Sequence, residues 1–316
     1  MKLNELRPIK QKTFQGTYRL TGRVVDFDDE GIAYVKLRLS RDNNDCRVLA
    51  VPDTITIPDG LKPMELVSVK GQVCIGPQES EIILTDIRRP ITAEVLRLPA
   101  LQTLPKSFCP RPEALEELTH IVRAMKSAHL QSFLKRVLER RDRLAVFLQA
   151  PASQRYHHNY PGGLLVHSLE VAKGVLTMVQ MNEPEASQGL QELGFVAGLL
   201  HDIGKIQTCD IKGRPTAAAR LCDHADLTLE VCALGLAYLD RMDPDSALAL
   251  RHIWTCASPG ARYGKSPYMT LARYVRDADG QSAMADNQRK AYQNRKQQGF
   301  GRLGQNNYWL PTLHAH

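Results

Sequence analysis

Two stretches decide the fold of this chain: YHHNYPGGLLVHSLEVAK at residues 156–173 and GFVAGLLHDIGKI at residues 194–206. Each reads as an apolar helix that delivers an imidazole, His167 in the first stretch and His201 in the second. Asp202 follows directly after an apolar run, and burying a carboxylate without a partner is costly. A metal ion is the partner we expect, because imidazoles with a carboxylate suit Mn, Fe, Zn or Ni better than Ca.

A later aspartate completes the set of expected ligands. His167, the adjacent His201 and Asp202, and an aspartate in the segment YVRDAD resemble the H…HD…D pattern of the HD-domain metal-dependent phosphohydrolases. The resemblance implies an all-α domain that holds its metal with these residues. Asp277 and Asp279 are two apart and point to different sides of a helix, so only one can face the metal. The resemblance favours Asp279 as the ligand. Asp277 would then form an ion pair or hydrogen-bond to one of the ligands.

Two further histidines bear on the number of metal ions. Some HD proteins use additional histidines for a second ion, and His224 stands where such a residue would begin a helix. His252 lies on the next predicted helix, where the resemblance implies a further histidine; residues 256–258 read Cys-Ala-Ser instead. His224 and His252 are therefore candidate ligands of a second ion. A hydrogen-bonded core histidine is the alternative for His252.

The same resemblance implies hydrolysis of a phosphoester with the help of a divalent ion, which could be Mn, Fe, Ni, Zn or Mg. Asp202 would also orient the attacking water. Lys205 and one of the pair His157 and His158 would offset charge on the phosphate, and His158 is our candidate catalytic residue. A surface pair without a ligand is the alternative for these two loop histidines.

Residues 1–90 predict a small β-barrel. Five segments rich in Val, Ile and Leu are separated by turn signals such as DDEG and GPQES. Their order and lengths resemble an OB-fold, a module that binds single strands through a basic groove and stacking aromatics. The candidate substrate-binding residues are Arg23, Lys36 and Arg38, and further candidates are Tyr18, Arg19, Phe27, Tyr34 and Arg47. The alternative is a barrel with no ligand, in which Phe27 and one tyrosine belong to the core.

The other segments differ in their patterns. The proline-rich residues 91–112 predict an extended linker, because proline and the residue before it disfavour helix. Residues 113–286 carry the helical periodicity of the HD domain. Residues 287–316 are polar and basic without apolar periodicity, which predicts a partly disordered arm. We therefore expect a two-domain α+β protein, with an N-terminal small β-barrel followed by an all-α HD domain.

Composition narrows the class of protein. The chain has 316 residues, of which 43% are hydrophobic and 24% charged, enough for two ordinary cores. No continuous apolar run reaches the roughly eighteen residues of a membrane span, and the start lacks a signal segment, so no membrane partner is expected. Seven cysteines without a C-x-x-C pair favour a reduced, cytoplasmic protein. The net charge of +7 resides mainly in segments that flank the motif region, which fits an anionic polymer, with solvated helix faces as the alternative.

Two families share longer stretches with this chain. The arrangement of this chain resembles that of the YhaM-type bacterial 3′–5′ exoribonucleases over nearly its whole length. It consists of a barrel, a proline-rich joint and an HD domain, in this order. Residues 151–172, PASQRYHHNYPGGLLVHSLEVA, resemble the TraI_2 (MobH-type) HD relaxase domain. We expect a metal-dependent nuclease that hydrolyses single-stranded RNA or DNA, first of all as a 3′–5′ exonuclease. A relaxase-like DNA-nicking protein is the alternative.

Two other classes of function stay open at this point. A catalytically degenerate HD and OB module would only bind nucleic acid. The Cys-Ala-Ser at residues 256–258, which stands where a further histidine is implied, favours this alternative. A nucleotide phosphohydrolase is disfavoured by the extra barrel. Because OB and HD domains often self-associate, a homo-oligomer is also an expectation.

Overall fold

Five N-terminal strands form a closed barrel in the order β1-β2-β3-β5-β4. They are β1 (Arg7–Phe27), β2 (Ala33–Arg41), β3 (Asn44–Ala50), β4 (Leu66–Ile75) and β5 (Ser80–Arg88). The computed structural model describes residues 6–42, 44–50, 55–75, 80–154, 156–257, 264–293 and 298–311. The chain divides into two compact units, Met1–Pro112 and Glu113–His316. The predicted fold class, a small barrel followed by a helical region, is confirmed.

Strand β1 closes the barrel because it is long enough to pair with two neighbours. Residues 7–19 pair antiparallel with β4, and residues 19–27 pair antiparallel with β2. A register shift between Leu20 and Gly22 marks the point at which the strand changes partner. Strands β3 and β5 meet in parallel. Five strands closed in this way fit the Greek-key barrel of an OB-like fold.

Arg19 is a structural residue of the barrel unit, so its prediction as a substrate-binding residue is wrong. Arg19 is 2% exposed. Its guanidinium donates to Met64 O at 2.7 Å, to Thr103 Oγ1 at 3.0 Å and to Thr103 O at 3.1 Å. These bonds tie the segment that follows β5 to the barrel, and they use the donors that a phosphate would need.

Residues 91–112 are folded, which corrects the prediction of an extended linker. They contain helix α1 (Thr92–Arg97) and a short 3₁₀ helix (Lys106–Phe108). Glu94 accepts a hydrogen bond from the Ile91 amide at 3.0 Å and so satisfies a backbone donor at the start of α1. Leu101 and Leu104 are fully buried. The prolines are spaced widely enough to allow this short helix, and apolar burial fixes the rest of the segment.

The second unit is mainly helical. Its helices are α2 (Pro112–Ala124), α3 (Ala128–Leu138), α4 (Arg141–Gln149), α5 (Gly163–Asn182), α6 (Gln188–Leu200), α7 (Lys205–Thr208), α8 (Ala218–Leu221), α9 (His224–Met242), α10 (Pro244–Thr255) and α11 (Thr270–Ala291). Helix α5 packs against both α6 and α11. Gly174 and Ala278 are small enough to let α5 and α11 approach closely where they meet. The central position of α5 explains why its sequence is apolar on most sides.

Helix α5 also has the length and composition of a membrane span. Its mean hydropathy over an 18-residue window is 1.2, and half of that window is buried inside the protein. Core helices of globular proteins pass the same test, so this helix is weak support for a membrane segment. The expectation of no membrane partner stays a prediction.

The C-terminal region is more ordered than the sequence predicts. Helix α11 continues to Ala291, and strands β6 (Gly299–Leu303) and β7 (Asn306–Leu310) form an antiparallel hairpin. The Tyr292 hydroxyl donates to Gly299 O at 2.7 Å and links the hairpin to the end of α11. Two five-residue strands give too short a pattern to be recognised among polar residues. The partly disordered arm is therefore wrong for these elements, while residues 294–297 and 312–316 lie outside the described chain.

Replacement of Arg19 tests the structural role of this residue. We expect Arg19→Met to lower the free energy of local unfolding of β1 by about 2–4 kcal/mol, because buried acceptors at Met64 and Thr103 lose their donors. Hydrogen exchange of the β1 amides in the 316-residue chain measures this energy. Arg23→Met, on the exposed side of the same strand, is the control and should change it by less than about 0.5 kcal/mol. Equal effects of the two substitutions would contradict the structural role.

Candidate metal centre

The loop before α5 is held against the start of that helix by two glycines. Gly162 caps the helix with a left-handed φ of 77°, a conformation that glycine adopts without strain. A Cβ on Gly163 would lie 2.0 Å from His158 O, so only glycine permits this approach. The contact keeps the loop histidines beside His167, which lies one turn into α5. The Pro-Gly-Gly sequence thus forms the turn and also holds the loop histidines next to His167.

A second close approach builds the other side of the site. His201 follows the last residue of α6, and its Nδ1 lies 2.8 Å from Gly198 O, to which it donates. Asp202 comes next and is buried. A Cβ on Gly204 would lie 1.9 Å from His224 O, so this glycine allows the first residue of α9 to reach Asp202.

The structure brings the four predicted ligands together. His167 Nε2 lies 3.4 Å from Asp202 Oδ2 and 3.2 Å from Asp279 Oδ1. His201 Nε2 lies 3.4 Å from Asp202 Oδ2 and 3.7 Å from Asp279 Oδ1. Ligand atoms around one ion at about 2.1 Å stand roughly 3 to 3.5 Å from each other. Asp277, two residues before Asp279 on α11, is exposed instead.

The hydrogen bonding of the two imidazoles fits a metal centre. Nε2 of His167 and Nε2 of His201 are buried and have no hydrogen-bond partner among the described residues. The other nitrogen of each ring is engaged, because His167 Nδ1 lies 3.1 Å from Ser282 Oγ and His201 Nδ1 bonds Gly198 O. A metal-binding histidine typically donates its second N–H in this way, which aims the lone pair of Nε2 at the ion.

The electrostatics of the cluster are dominated by its two carboxylates. Burial raises the pKa of Asp202 and of Asp279, but the neighbouring imidazoles outweigh it and hold both pKa values well below the usual range. Burial lowers the pKa of His201, but the charges of the two aspartates outweigh it and raise this pKa to about 10. A proton and a metal ion compete for His201 Nε2, so metal affinity should rise with pH below about 10.

Behind the ligands lies a network that the sequence analysis missed. Ser282 Oγ donates to Glu170 Oε2 at 2.7 Å, so its lone pairs are left to accept from His167 Nδ1 and from His158 Nε2, each at 3.1 Å. Burial raises the pKa of Glu170, but hydrogen bonds from His158 and Ser282 outweigh it and lower this pKa to about 2. Glu170 therefore stays charged and fixes the orientation of the hydroxyl.

The spacing of Glu170 and Ser282 from the ligands could have predicted this network. Glu170 is three residues after His167 on α5, and Ser282 is three residues after Asp279 on α11. Residues three apart lie on the same face of a helix. Both members could therefore have been found once the ligands His167 and Asp279 were chosen.

His158 belongs to this network, which corrects its prediction as a catalytic or substrate-binding residue. It is fully buried. Its Nδ1 lies 2.8 Å from the Tyr160 hydroxyl, and its Nε2 lies near Ser282 and 3.2 Å from Glu170 Oε2. Because both ring nitrogens are engaged inside the protein, His158 cannot contact a phosphate and acts as a positioning residue.

His157 is the member of the loop pair that faces the site. Its ring centre lies 5.0 Å from that of His167, and donor atoms of His157, His167 and Asp279 lie within 4.8 Å of one another. Its Nε2 is buried without a hydrogen-bond partner in the described part of the chain. Burial lowers the pKa of His157 to about 4, so the ring is neutral at pH 7. A neutral imidazole in this position can contact an ion or a substrate oxygen.

The remaining predicted residues of the helical unit divide between the site and its surroundings. Lys205 forms an ion pair with Asp202 Oδ2, and His224 Nε2 lies 3.1 Å from Asp202 Oδ1. His252 lies elsewhere, because its Nε2 accepts from the Tyr268 amide at 2.9 Å and its ring stacks on that of Tyr268. Among the described residues, the groups that could hold a metal do not include His252. These groups do not include His224 either. Of the two histidines, only His224 is described beside Asp202, and a second ion stays a prediction.

The barrel unit places only some of its candidate residues at the surface. Arg23 and Arg38 are exposed, whereas Lys36 pairs with Asp26 Oδ2 at 2.5 Å. Phe27 is 64% exposed, so its alternative assignment to the core is wrong. Among the other candidates, Tyr34 is buried, Tyr18 stacks on Phe14 at 4.9 Å between ring centres, and Arg47 pairs with Glu81 at 2.7 Å.

Replacement of Asp279 or of Asp277, one at a time, tests the ligand assignment. We expect Asp279→Asn to weaken Mn²⁺ binding by more than about a hundredfold. Loss of a residue that only hydrogen-bonds to a ligand weakens metal binding by about 10–100-fold, and loss of a ligand itself should exceed that range. Asp277→Asn is the matched control, because this exposed residue is two positions away on the same helix. Isothermal titration calorimetry on metal-stripped protein measures both affinities. Similar losses in the two variants would exclude Asp279 as a specific ligand.

Loss of the Ser282 hydroxyl tests the network behind the ligands. We expect Ser282→Ala to weaken Mn²⁺ binding by about 10–100-fold, because His167 loses the group that fixes its ring. Met284→Ala, an exposed position on the same helix, should bind Mn²⁺ like the wild type. Unchanged affinity in Ser282→Ala would show that the network does not act on the ion.

Comparison with known proteins agrees with this geometry. The family model "HD domain" matches residues 164–284, and the TraI_2 family, with the description "Putative helicase", matches residues 103–214. The 3'-5' exoribonuclease YhaM of Bacillus subtilis (strain 168) is 23% identical over 235 residues, which are 71% of this chain and 71% of that protein. YhaM of Bacillus velezensis is 24% identical over 59% of this chain and 58% of its own length.

A third relative extends the comparison to another genus. YhaM of Listeria monocytogenes strain EGD-e is 24% identical over 214 residues, 64% of this chain and 65% of that protein. The HD match spans all four residues that converge on one point, His167, His201, Asp202 and Asp279. Residues 164–284 of this chain, which contain all four of these side chains, are therefore similar to the HD domain.

Proposed function

We propose that this chain is a metal-dependent nuclease that shortens single-stranded nucleic acid from its 3′ end. The observation that carries the proposal is the cluster of two imidazoles and two carboxylates, whose buried, unpartnered Nε2 atoms face the carboxylate oxygens. The relatives named exoribonuclease support the choice of a nucleic-acid substrate, since the match with the Bacillus subtilis protein covers 71% of each chain.

Each residue of the cluster would have a distinct task. A divalent ion held by His167, His201, Asp202 and Asp279 would polarise a phosphoryl oxygen and lower the pKa of a water molecule. Lys205 brings a positive charge beside Asp202 and would offset the charge of the phosphate. His157 Nε2 is available to hydrogen-bond a substrate oxygen.

The ligand chemistry narrows the choice of ion. Two imidazoles with two carboxylates suit Mn, Fe, Ni or Zn, whereas Mg prefers oxygen ligands alone. We therefore infer that Mn²⁺ supports the reaction better than Mg²⁺.

The surface of the barrel unit supports a polymeric anion as substrate. Arg38 on β2 lies opposite Arg47 on β3, and Arg23 is exposed on the neighbouring strand β1. Arg47 already pairs with Glu81, so Arg23 and Arg38 are the exposed cations that this surface presents. Phe27 adds an exposed ring on which a base could stack. We infer that the barrel contributes affinity for single strands and that RNA is preferred, as in the named relatives.

A relaxase-like reaction on DNA is the second candidate. The TraI_2 match favours it, because residues 103–214 include three of the four ligands as well as Lys205. That match ends before Asp279, whereas the HD match includes Asp279. We rank DNA nicking behind exonuclease activity for this reason.

The proposed activity belongs to a reducing compartment. All seven cysteines lie in the described part of the chain, and none of them forms a disulfide. Free thiols are the normal state in the cytoplasm. We propose a cytoplasmic location and, from the self-association common to both domain types, a homo-oligomer.

A gel time course tests the proposed function. Single-stranded RNA and DNA labelled at the 5′ end are incubated with Mn²⁺ and wild-type protein, Asp202→Asn or the control Asp277→Asn. We expect a ladder that shortens by single nucleotides with the wild type and Asp277→Asn, and no product with Asp202→Asn, which loses a ligand but keeps its shape. One discrete DNA product would favour the nicking reaction. Binding of both polymers without any product would favour a module that only binds nucleic acid.

A further inference from the structure

A cavity of about 180 Å³ adjoins the metal centre. Lys205 and His224 are among its lining residues, and both side chains contact the carboxylate of Asp202. The cavity is smaller than the roughly 300–1,000 Å³ typical of sites for drug-sized ligands. It therefore has room for one ring system beside the cluster and not for a run of nucleotides.

The walls of the cavity come from two loops that pack together. Pro151 and Ala152 precede the histidine loop, and Cys209 and Gly213 belong to the turn after α7. A Cβ on Gly213 would lie 2.4 Å from Pro151 Cγ, so the two loops are in direct contact there. Burial raises the pKa of the Cys209 thiol to about 11, which keeps this wall uncharged at neutral pH.

Internal hydrogen bonds hold both loops in shape. Ser153 Oγ accepts from the Tyr156 amide at 2.9 Å and donates to His157 O at 2.8 Å. Asp210 Oδ1 accepts from the Lys212 amide at 2.8 Å and from the Arg214 amide at 2.9 Å. The cavity is thus formed by turns that are already closed and needs little rearrangement to receive a ligand.

The polar side chains of the lining are mostly used within the protein. The Thr208 hydroxyl donates to Lys205 O at 3.2 Å, and the Ser153 hydroxyl bonds the loop backbone. Such walls offer contact area to a flat ring, with few groups left to read its edge. Lys205, which also lines the cavity, offers its ammonium group to an anion, whereas both ring nitrogens of His224 already face Asp202 and Asp223. A ligand with an anionic end and an uncharged ring matches this division.

We propose that this cavity receives the base of the terminal nucleotide while the adjoining phosphate lies beside Lys205. The proposal rests on the nuclease function proposed above and adds the means by which the enzyme holds the end of the strand. Because few groups of the walls can read the edge of the ring, Gln154 being the exception, all four bases are accepted. The cavity anchors the nucleotide that leaves, which favours removal of one nucleotide at a time.

Ala219 provides the variant that tests the cavity. Ala219 lines the cavity and is itself exposed, so a larger side chain at this position fills the space without disturbing the core. Ala217, two residues earlier, is also exposed and does not line the cavity, so Ala217→Phe is the matched control. Ala219→Leu serves as a second, smaller block if Ala219→Phe does not fold.

The first measurement compares two RNA oligonucleotides that differ only in the presence of the base on the 3′-terminal nucleotide. We expect the wild type to remove the normal nucleotide with a kcat/KM about tenfold or more above that for the abasic nucleotide, because one base contact is lost. This ratio should fall to about one in Ala219→Phe and stay unchanged in Ala217→Phe. The four bases should agree within about threefold. Equal rates on the two oligonucleotides with the wild type would overturn the proposal.

The second measurement needs no turnover. An oligonucleotide with 2-aminopurine as its 3′-terminal base is titrated with each protein in EDTA, and its fluorescence reports whether the base leaves the solvent. We expect a change with the wild type and Ala217→Phe and none with Ala219→Phe. The same change in Ala219→Phe, or no change in any protein, would overturn the cavity assignment. Fluorescence change without hydrolysis of either oligonucleotide would instead overturn the proposed nuclease function.

Discussion

The buried carboxylate of Asp202 is the constraint on which the arrangement of the helical unit depends. It is 6% exposed, and a carboxylate in such a place is very unfavourable without charged or hydrogen-bonding partners. Oδ2 faces His167, His201 and Lys205, and Oδ1 faces His224. These partners come from α5, the end of α6, α7 and α9. The requirement to satisfy one charge therefore fixes the relative positions of four elements, and α11 joins them through the same imidazoles.

The surrounding structure makes that convergence possible and keeps it ordered. Gly163 and Gly204 remove the Cβ atoms that would separate the histidine loop from α5 and α9 from the Asp202 turn. Behind the ligands, the charge of Glu170 orients the Ser282 hydroxyl, which in turn orients the ring of His167. The positions of the metal ligands thus depend on close backbone packing and on the hydrogen bonds from Ser282 and Glu170 as much as on the ligands themselves.

The sequence was sufficient to place the barrel, the helical unit and the four converging side chains, because strand patterns and the His-Asp spacing are local signals. It could not predict which of His157 and His158 faces the site. Consecutive loop residues point in different directions, and the left-handed backbone at His158, with a φ of 47°, cannot be predicted from hydrophobic periodicity. The role of Arg19 depends on Thr103, 84 residues away. Short elements such as α1 and the β6–β7 hairpin form through tertiary packing, which overrides weak local preference.

Anomalous diffraction at the Mn absorption edge, from crystals of this chain grown with Mn²⁺, tests the central claim most directly. The account predicts a peak about 2.2 Å from His167 Nε2 and His201 Nε2, with Asp202 and Asp279 oxygens at similar distances. Loss of that peak in crystals of Asp279→Asn would strengthen the assignment. An empty cluster beside ordered Mn²⁺ at exposed carboxylates, with the imidazoles hydrogen-bonded to the aspartates, would contradict it.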